Sequence, residues 1–196
     1  MKVIQTQSGF SSSSSYSVPV TRTVWSDTML VVVSTNGASI NAPTDNQGTA
    51  YRLVKNNSGT GFNNSLFYAS PIAAGVTSLT LSFGTSCNSS YIIREYQGLD
   101  NNQFFATGSN VGFGTFAASP YVSNLQLAFG WCGYAGAYPP TVGAGYTDFV
   151  AQTDGTSCGV AVEDMKLDGI DLIDAYFNFS ANTHYTAGVA FFEIYE

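Results

Sequence analysis

The chain has 196 residues, of which only 6 are Lys or Arg and 13 are Asp or Glu, leaving a formal charge of −7. Charged residues make up 10% of it, against roughly 25% in an average soluble domain, and so few cations exclude non-specific nucleic-acid binding, which needs clustered Lys and Arg to neutralise phosphates. Hydrophobic residues at 44% exclude a disordered chain and suffice for a core, so one domain over residues 1–196 is the expectation.

The opening Met1–Gly9 carries one Lys and no apolar run, so it does not read as a signal peptide. No stretch is long and apolar enough to read as a membrane-spanning helix. From there almost every segment reads as strand: short runs rich in Val, Ile, Leu, Phe, Tyr and Thr are bounded by Gly, Asn, Asp, Ser or Pro. The predicted strands are Lys2–Ser8, Met29–Thr35, Ala50–Lys55, Ser65–Ser70, Ser78–Phe83, Ser90–Gln97, Leu125–Trp131, Tyr146–Thr153, Val160–Leu167, Leu172–Phe179 and Tyr185–Tyr195. Between the first two, the run Ser11–Ser15 is either a linker or the turn into Tyr16–Val20, which makes residues 1–15 an extended N-terminal arm or a first strand. Alternation puts Leu79, Leu81 and Phe83 on one face with Thr80 and Ser82 on the other. The segment Gly130–Gly145, with Trp131, Cys132, Tyr134, Tyr138, Pro139 and Pro140, is broken by Gly and Pro and reads as an aromatic loop. Val160–Leu167, Asp168-Gly169 and Ile170–Ile173 read as a hairpin around a tight turn. The fold class expected from this pattern is all-β, a two-sheet antiparallel β-sandwich of jelly-roll-like character. No repeat at a period of roughly 20–50 residues is evident.

Few residues suggest chemistry. Cys87, Cys132 and Cys158 have no metal-ligand spacing, and they read either as small buried hydrophobes or, for Cys87 and Cys158, as a disulfide. His184 is the only histidine and lacks a nucleophile motif around any serine, so it reads as structural. Glu163 and Asp164 are adjacent on a strand and point to opposite faces, which rules them out as a facing catalytic pair; Glu95 is expected beside a cation. Asp168, Asp171 and Asp174 form the one local carboxylate cluster, which reads first as a solvated acidic hairpin edge and only weakly as a calcium candidate. Nine of the 13 acids but one of the 6 bases lie from Asp148 onward, which predicts an acidic C-terminal region facing solvent or a basic partner. Trp131, Tyr134 and Tyr138, joined by Trp25, are the ligand or interface candidates, since Trp and Tyr stack on sugars and anchor protein interfaces.

Taken in order, several stretches resemble the jelly-roll, concanavalin-like β-sandwich module of bacterial extracellular proteins and phage structural proteins. They are Met29-Leu30-Val31-Val32-Val33-Ser34, the run Thr44 to Val54, Leu66-Phe67-Tyr68-Ala69-Ser70, Leu79-Thr80-Leu81-Ser82-Phe83, Arg94-Glu95-Tyr96-Gln97-Gly98-Leu99, Leu125-Gln126-Leu127-Ala128-Phe129-Gly130 and Tyr185 to Phe192. The resemblance implies a fold and transfers no catalytic residue. A free-standing copy without a leader resembles a virion protein: a non-enzymatic head decoration or cement protein on the capsid exterior. Its implied partners are the major capsid protein or copies of itself, as a homo-oligomer within the assembly, with no cofactor, nucleic acid or membrane. The alternatives are a carbohydrate- or receptor-binding module of tail-fibre type and a subunit of an extracellular filament.

Overall fold

A computed structural model describes residues 1–123, 126–167 and 171–194, with side chains placed over 1–99, 110–115, 126–167 and 175–194. The described residues form eleven strands and no helix: β1 (Lys2–Pro19), β2 (Thr28–Thr35), β3 (Thr44–Asp45), β4 (Arg52–Gly59), β5 (Phe62–Ala69), β6 (Ser78–Gln97), β7 (Leu99–Ser123), β8 (Leu127–Tyr134), β9 (Thr147–Thr153), β10 (Gly159–Lys166) and β11 (Asp171–Ile194). They make two antiparallel sheets, one ordered β1-β6-β2-β5-β4 with β3 beside β6, the other ordered β7-β11-β8-β10-β9. The expected two-sheet β-sandwich is the observed architecture.

Each sheet is drawn from one contiguous half of the chain, and the two halves have the same connectivity. Strands β1, β2, β4, β5 and β6 of the first sheet occupy the places of β7, β8, β9, β10 and β11 in the second, with β3 the one addition. In both halves the first and last strands form a long ribbon that bends midway. The β1–β6 register slips between Ser13 and Ser15; the β7–β11 register slips between Asn178 and Thr183. Beyond each slip the ribbon turns over the outer face of its own sheet. Val18, Leu79 and Leu81 thereby share a cluster with Met29, Val31 and Val33, and Ala175 and Phe177 share one with Ala128, Cys132 and Ala161. A third cluster, including Leu30, Val32, Ile92, Phe129, Trp131, Val162 and Phe192, fills the space between the sheets.

Both faces of both sheets are thus covered, and the central strands β2 and β8 are buried at every residue. This accounts for the uninterrupted apolar run Met29–Val33, which a sheet wet on one face would have interrupted with polar residues. Leu79, Leu81 and Phe83 do lie together in the core.

Four local expectations are corrected. Ser11, Ser12 and Ser13 are neither linker nor turn: they pair with Ser89, Asn88 and Cys87 inside β1, because an edge strand needs backbone pairing on one side only and tolerates small polar side chains. The predicted pairs Ser78–Phe83 with Ser90–Gln97, and Leu172–Phe179 with Tyr185–Tyr195, are single bent strands. The Gly130–Gly145 loop begins only after Tyr134, since Trp131 through Tyr134 belong to β8. The Val160–Ile173 hairpin does not pair, because β8 lies between β10 and β11; Asp168 and Gly169 fall outside the described residues.

Candidate functional site

Among the described residues four carboxyl side chains are buried, Asp27, Glu95, Glu163 and Asp164, and they fall into three stations. Between the sheets, Arg94 and Asp164 form an ion pair at 2.6 Å with side chains 2% and 3% exposed, and the Tyr96 hydroxyl donates to the same Asp164 oxygen at 2.7 Å. Arg94 also donates to the Asp148 carbonyl. Burial pushes the Asp164 carboxyl up to about 6, against the pull of the Arg94 guanidinium and the Tyr96 hydroxyl.

One residue earlier on β10, Glu163 faces the opposite way, under the folded β7–β11 ribbon. Its carboxylate accepts the Tyr176 N–H at 2.8 Å and the Gly143 N–H at 3.0 Å, pinning ribbon and loop to the sheet. The partner of Glu163 across the ladder is Gly130, whereas the corresponding register in the first half pairs Phe67 with Val31. Desolvation raises the Glu163 carboxyl to about 7 despite the two N–H donors. The opposite orientation of Glu163 and Asp164 expected from their spacing is what the structure shows.

The third station lies on the outer side of the first sheet. Glu95 (1% exposed) and Asp27 (3% exposed) meet there carboxyl to carboxyl, and desolvation followed by their mutual contact sets the protonation of Glu95 above the ordinary carboxyl range; burial raises Asp27 likewise. The expectation of a cation beside Glu95 is overturned, because its neighbour Arg94 points to the other face and pairs with Asp164. Gln5 supplies the polar contact instead: its amide donates to Glu95 Oε2 and to the Thr21 carbonyl at 2.8 Å, while its oxygen accepts the Thr21 N–H at 2.7 Å.

This third station supports the segment between β1 and β2. Within it the Thr23 hydroxyl donates to Ala73 O at 2.6 Å and accepts the Val76 N–H at 3.0 Å. The Asp27 carbonyl accepts the Ile72 N–H at 2.8 Å. Ser26 adopts φ 80°, a left-handed conformation uncommon outside Gly. Out of this pinned loop project Val24 and Trp25, 60% and 62% exposed.

Comparison with protein-family models, with curated proteins and with solved structures found no match.

The four aromatic candidates therefore separate on geometry alone. Trp131 and Tyr134 are fully buried, in the inter-sheet core and beneath the second ribbon respectively, and neither can reach an external ligand. Tyr138 is 59% exposed in the loop after β8, and Trp25 is exposed on the β1–β2 loop. Asp168 lies outside the described residues, and so do the side chains of Asp171 and Asp174. Cys87, Cys132 and Cys158 are free and buried, with no disulfide between Cys87 and Cys158. His184 packs against exposed Phe113 in a tilted arrangement, ring centroids 4.7 Å apart. The acidic C-terminal region is not a uniform surface: Glu163 and Asp164 are interior, and Asp154 caps its own turn by accepting the Ser157 hydroxyl and the N–H groups of Thr156, Ser157 and Cys158, which together hold its carboxyl down to about 2. Sequence reading missed Asp27, Glu95 and Gln5 as a group, since residues 5, 27 and 95 meet only through the β1-β6-β2 pairing.

The buried carboxyls dictate a pH dependence. Asp27, Glu95, Glu163 and Asp164 all bind protons more tightly when folded. The contributions of Asp164 and Glu163 are therefore fully present near the ordinary carboxyl range and are lost as pH rises through about 6 and about 7 respectively, and those of Asp27 and Glu95 are lost in the same direction, above the ordinary carboxyl range. Asp45 and Asp154, shifted down, act only at more acid pH, where protonating them costs stability. Calorimetry is expected to show a melting temperature about 5–10 °C lower at pH 8 than at pH 5, with a flatter profile for Glu163→Gln; a melting temperature that rises over this interval contradicts the assignment.

Proposed function

We propose that this chain is a non-enzymatic docking protein of an assembly, most specifically a decoration or cement protein on a capsid exterior, whose partner is the major capsid protein or another copy of itself. One observation carries the reading. Two adjacent apolar side chains, Val24 and Trp25, stand about three-fifths exposed on a loop fixed by side-chain and backbone hydrogen bonds to β1 and the segment before β6. An exposed Trp has no role in the core, and a rigid support lowers the ordering cost of binding, which is how interface anchors work. The virion setting is supported by the resemblance of the strand and turn pattern to phage structural modules. The edge strand β1 adds a backbone edge along which a neighbour's strand could pair.

Trp25→Ala is expected to weaken binding to capsids stripped of this protein by about 30-fold or more, the loss of a roughly 2 kcal/mol anchor. The melting temperature should stay within about 2 °C of wild type, because the side chain is exposed. The reading fails if the purified chain has no affinity for such capsids and they keep normal thermal stability without it. Exposed Trp25 also offers a face on which a sugar ring could stack, so a glycan array run on wild type and Trp25→Ala separates the receptor-binding alternative.

A further inference from the structure

We infer that the Asp27–Glu95 pair is a proton-operated latch for the loop that presents Trp25: one proton shared between the two carboxyls closes the loop, and its loss at higher pH releases it.

The geometry behind this is local. Met29 pairs with Glu95 across the β2–β6 ladder, and Asp27, two residues earlier and buried at the end of the loop, reaches the Glu95 carboxyl there. Of the two Glu95 oxygens, Oε2 is occupied by the Gln5 amide. Oε1 is buried without any donor and is the oxygen that a proton on Asp27 would satisfy. A buried acceptor left unmatched is costly, and two ionised carboxylates in contact are more so.

No cation offsets the pair. From β1 it meets neutral Gln5, and from β2 Met29. From the segment before β4 it meets Tyr51, whose hydroxyl donates to Asp45 at 3.1 Å and whose own ionisation Asp45 and Glu95 both oppose. Arg94 faces the other side of the sheet. Arg22, the loop's only basic residue, is exposed and lies out toward Gly75 and Gln47. With Gln5 donating to Glu95 and gripping Thr21 at one end, and Asp27 at the other, the same pair bears on both ends of the exposed segment. Only the two carboxyls and one amide converge here, which suits a proton better than a metal ion needing six or more oxygens.

The consequence for docking rests on the function proposed above, whereas the latch does not. The experiment therefore reads the loop alone, and its failure leaves docking through Trp25 standing. Trypsin cleavage after Arg22 is measured between pH 6 and pH 8.5, normalised to a peptide carrying the same bond. The folded full-length chain is expected to be cut about 10-fold faster at the upper pH, while Glu95→Gln and Asp27→Asn give flat profiles. A flat wild-type profile overturns the latch even if neither variant folds, and so does an unchanged pH response in a folded variant. Protection at pH 8.5 by millimolar CaCl2, absent in Glu95→Gln, also overturns it, since the pair is then a cation site.

Discussion

Asp164→Ala is expected to destabilise the fold by about 3–5 kcal/mol at pH 8, the usual cost of stranding one member of a buried ion pair. The pH matters, because Asp164 is ionised there, above its raised value of about 6. Arg94 is 2% exposed and cannot swing out to water. Removing the carboxylate leaves the guanidinium with the Asp148 carbonyl as its remaining acceptor and orphans the Tyr96 hydroxyl as well. Two routes to recovery test the cause. Lowering the pH should not help, since arginine stays charged. The double variant Arg94→Met, Asp164→Leu should regain most of the loss, because an apolar pair of similar volume avoids both desolvation costs. Urea unfolding of wild type, Asp164→Ala and the double variant at pH 8 gives the answer: if the double variant is as unstable as Asp164→Ala, the pair matters through packing and not through charge.

The sandwich was legible because strand alternation survives wherever one face meets a core and the other is only partly covered, as at Leu79–Phe83, where Thr80 and Ser82 are half-buried. The parts that were not legible share a physical origin. β7 was missed because Leu99–Ser123 is rich in Asn, Gly, Ser and Ala, and its pairing with β11 depends on a partner some 70 residues away. Gly130 and Gly133 read as strand breakers, yet a Cβ on Gly130 would press on Ala175 and Glu163, and one on Gly133 on Asn64; these glycines mark close packing inside β8. The duplicated connectivity escaped notice because its period is half the chain and corresponding positions differ in chemistry, Phe67 answering to Glu163. The candidate site was half visible: Trp25 was named from its residue type, but the support beneath it depends on register between strands far apart in sequence, and no local pattern encodes that.

Trp131 tests the same distinction between residue type and placement. Trp131→Ala is expected to cost about 3–5 kcal/mol through the cavity it leaves, with no selective loss of any ligand, because the indole is wholly buried between the sheets. Across the β8–β11 ladder it faces Gly188, and a Cβ built there would fall inside the ring's van der Waals surface. Gly188→Ala alone should therefore destabilise by about 1–3 kcal/mol through overpacking. Introduced together with Trp131→Ala, the same methyl enters the vacated space and should cost less than about 0.5 kcal/mol, a coupling typical of residues in contact. Guanidinium unfolding of the two single variants and the double variant measures that coupling. Additive costs would place the indole away from Gly188, and a Trp131→Ala protein of native stability would put it back on the surface, where a ligand could reach it.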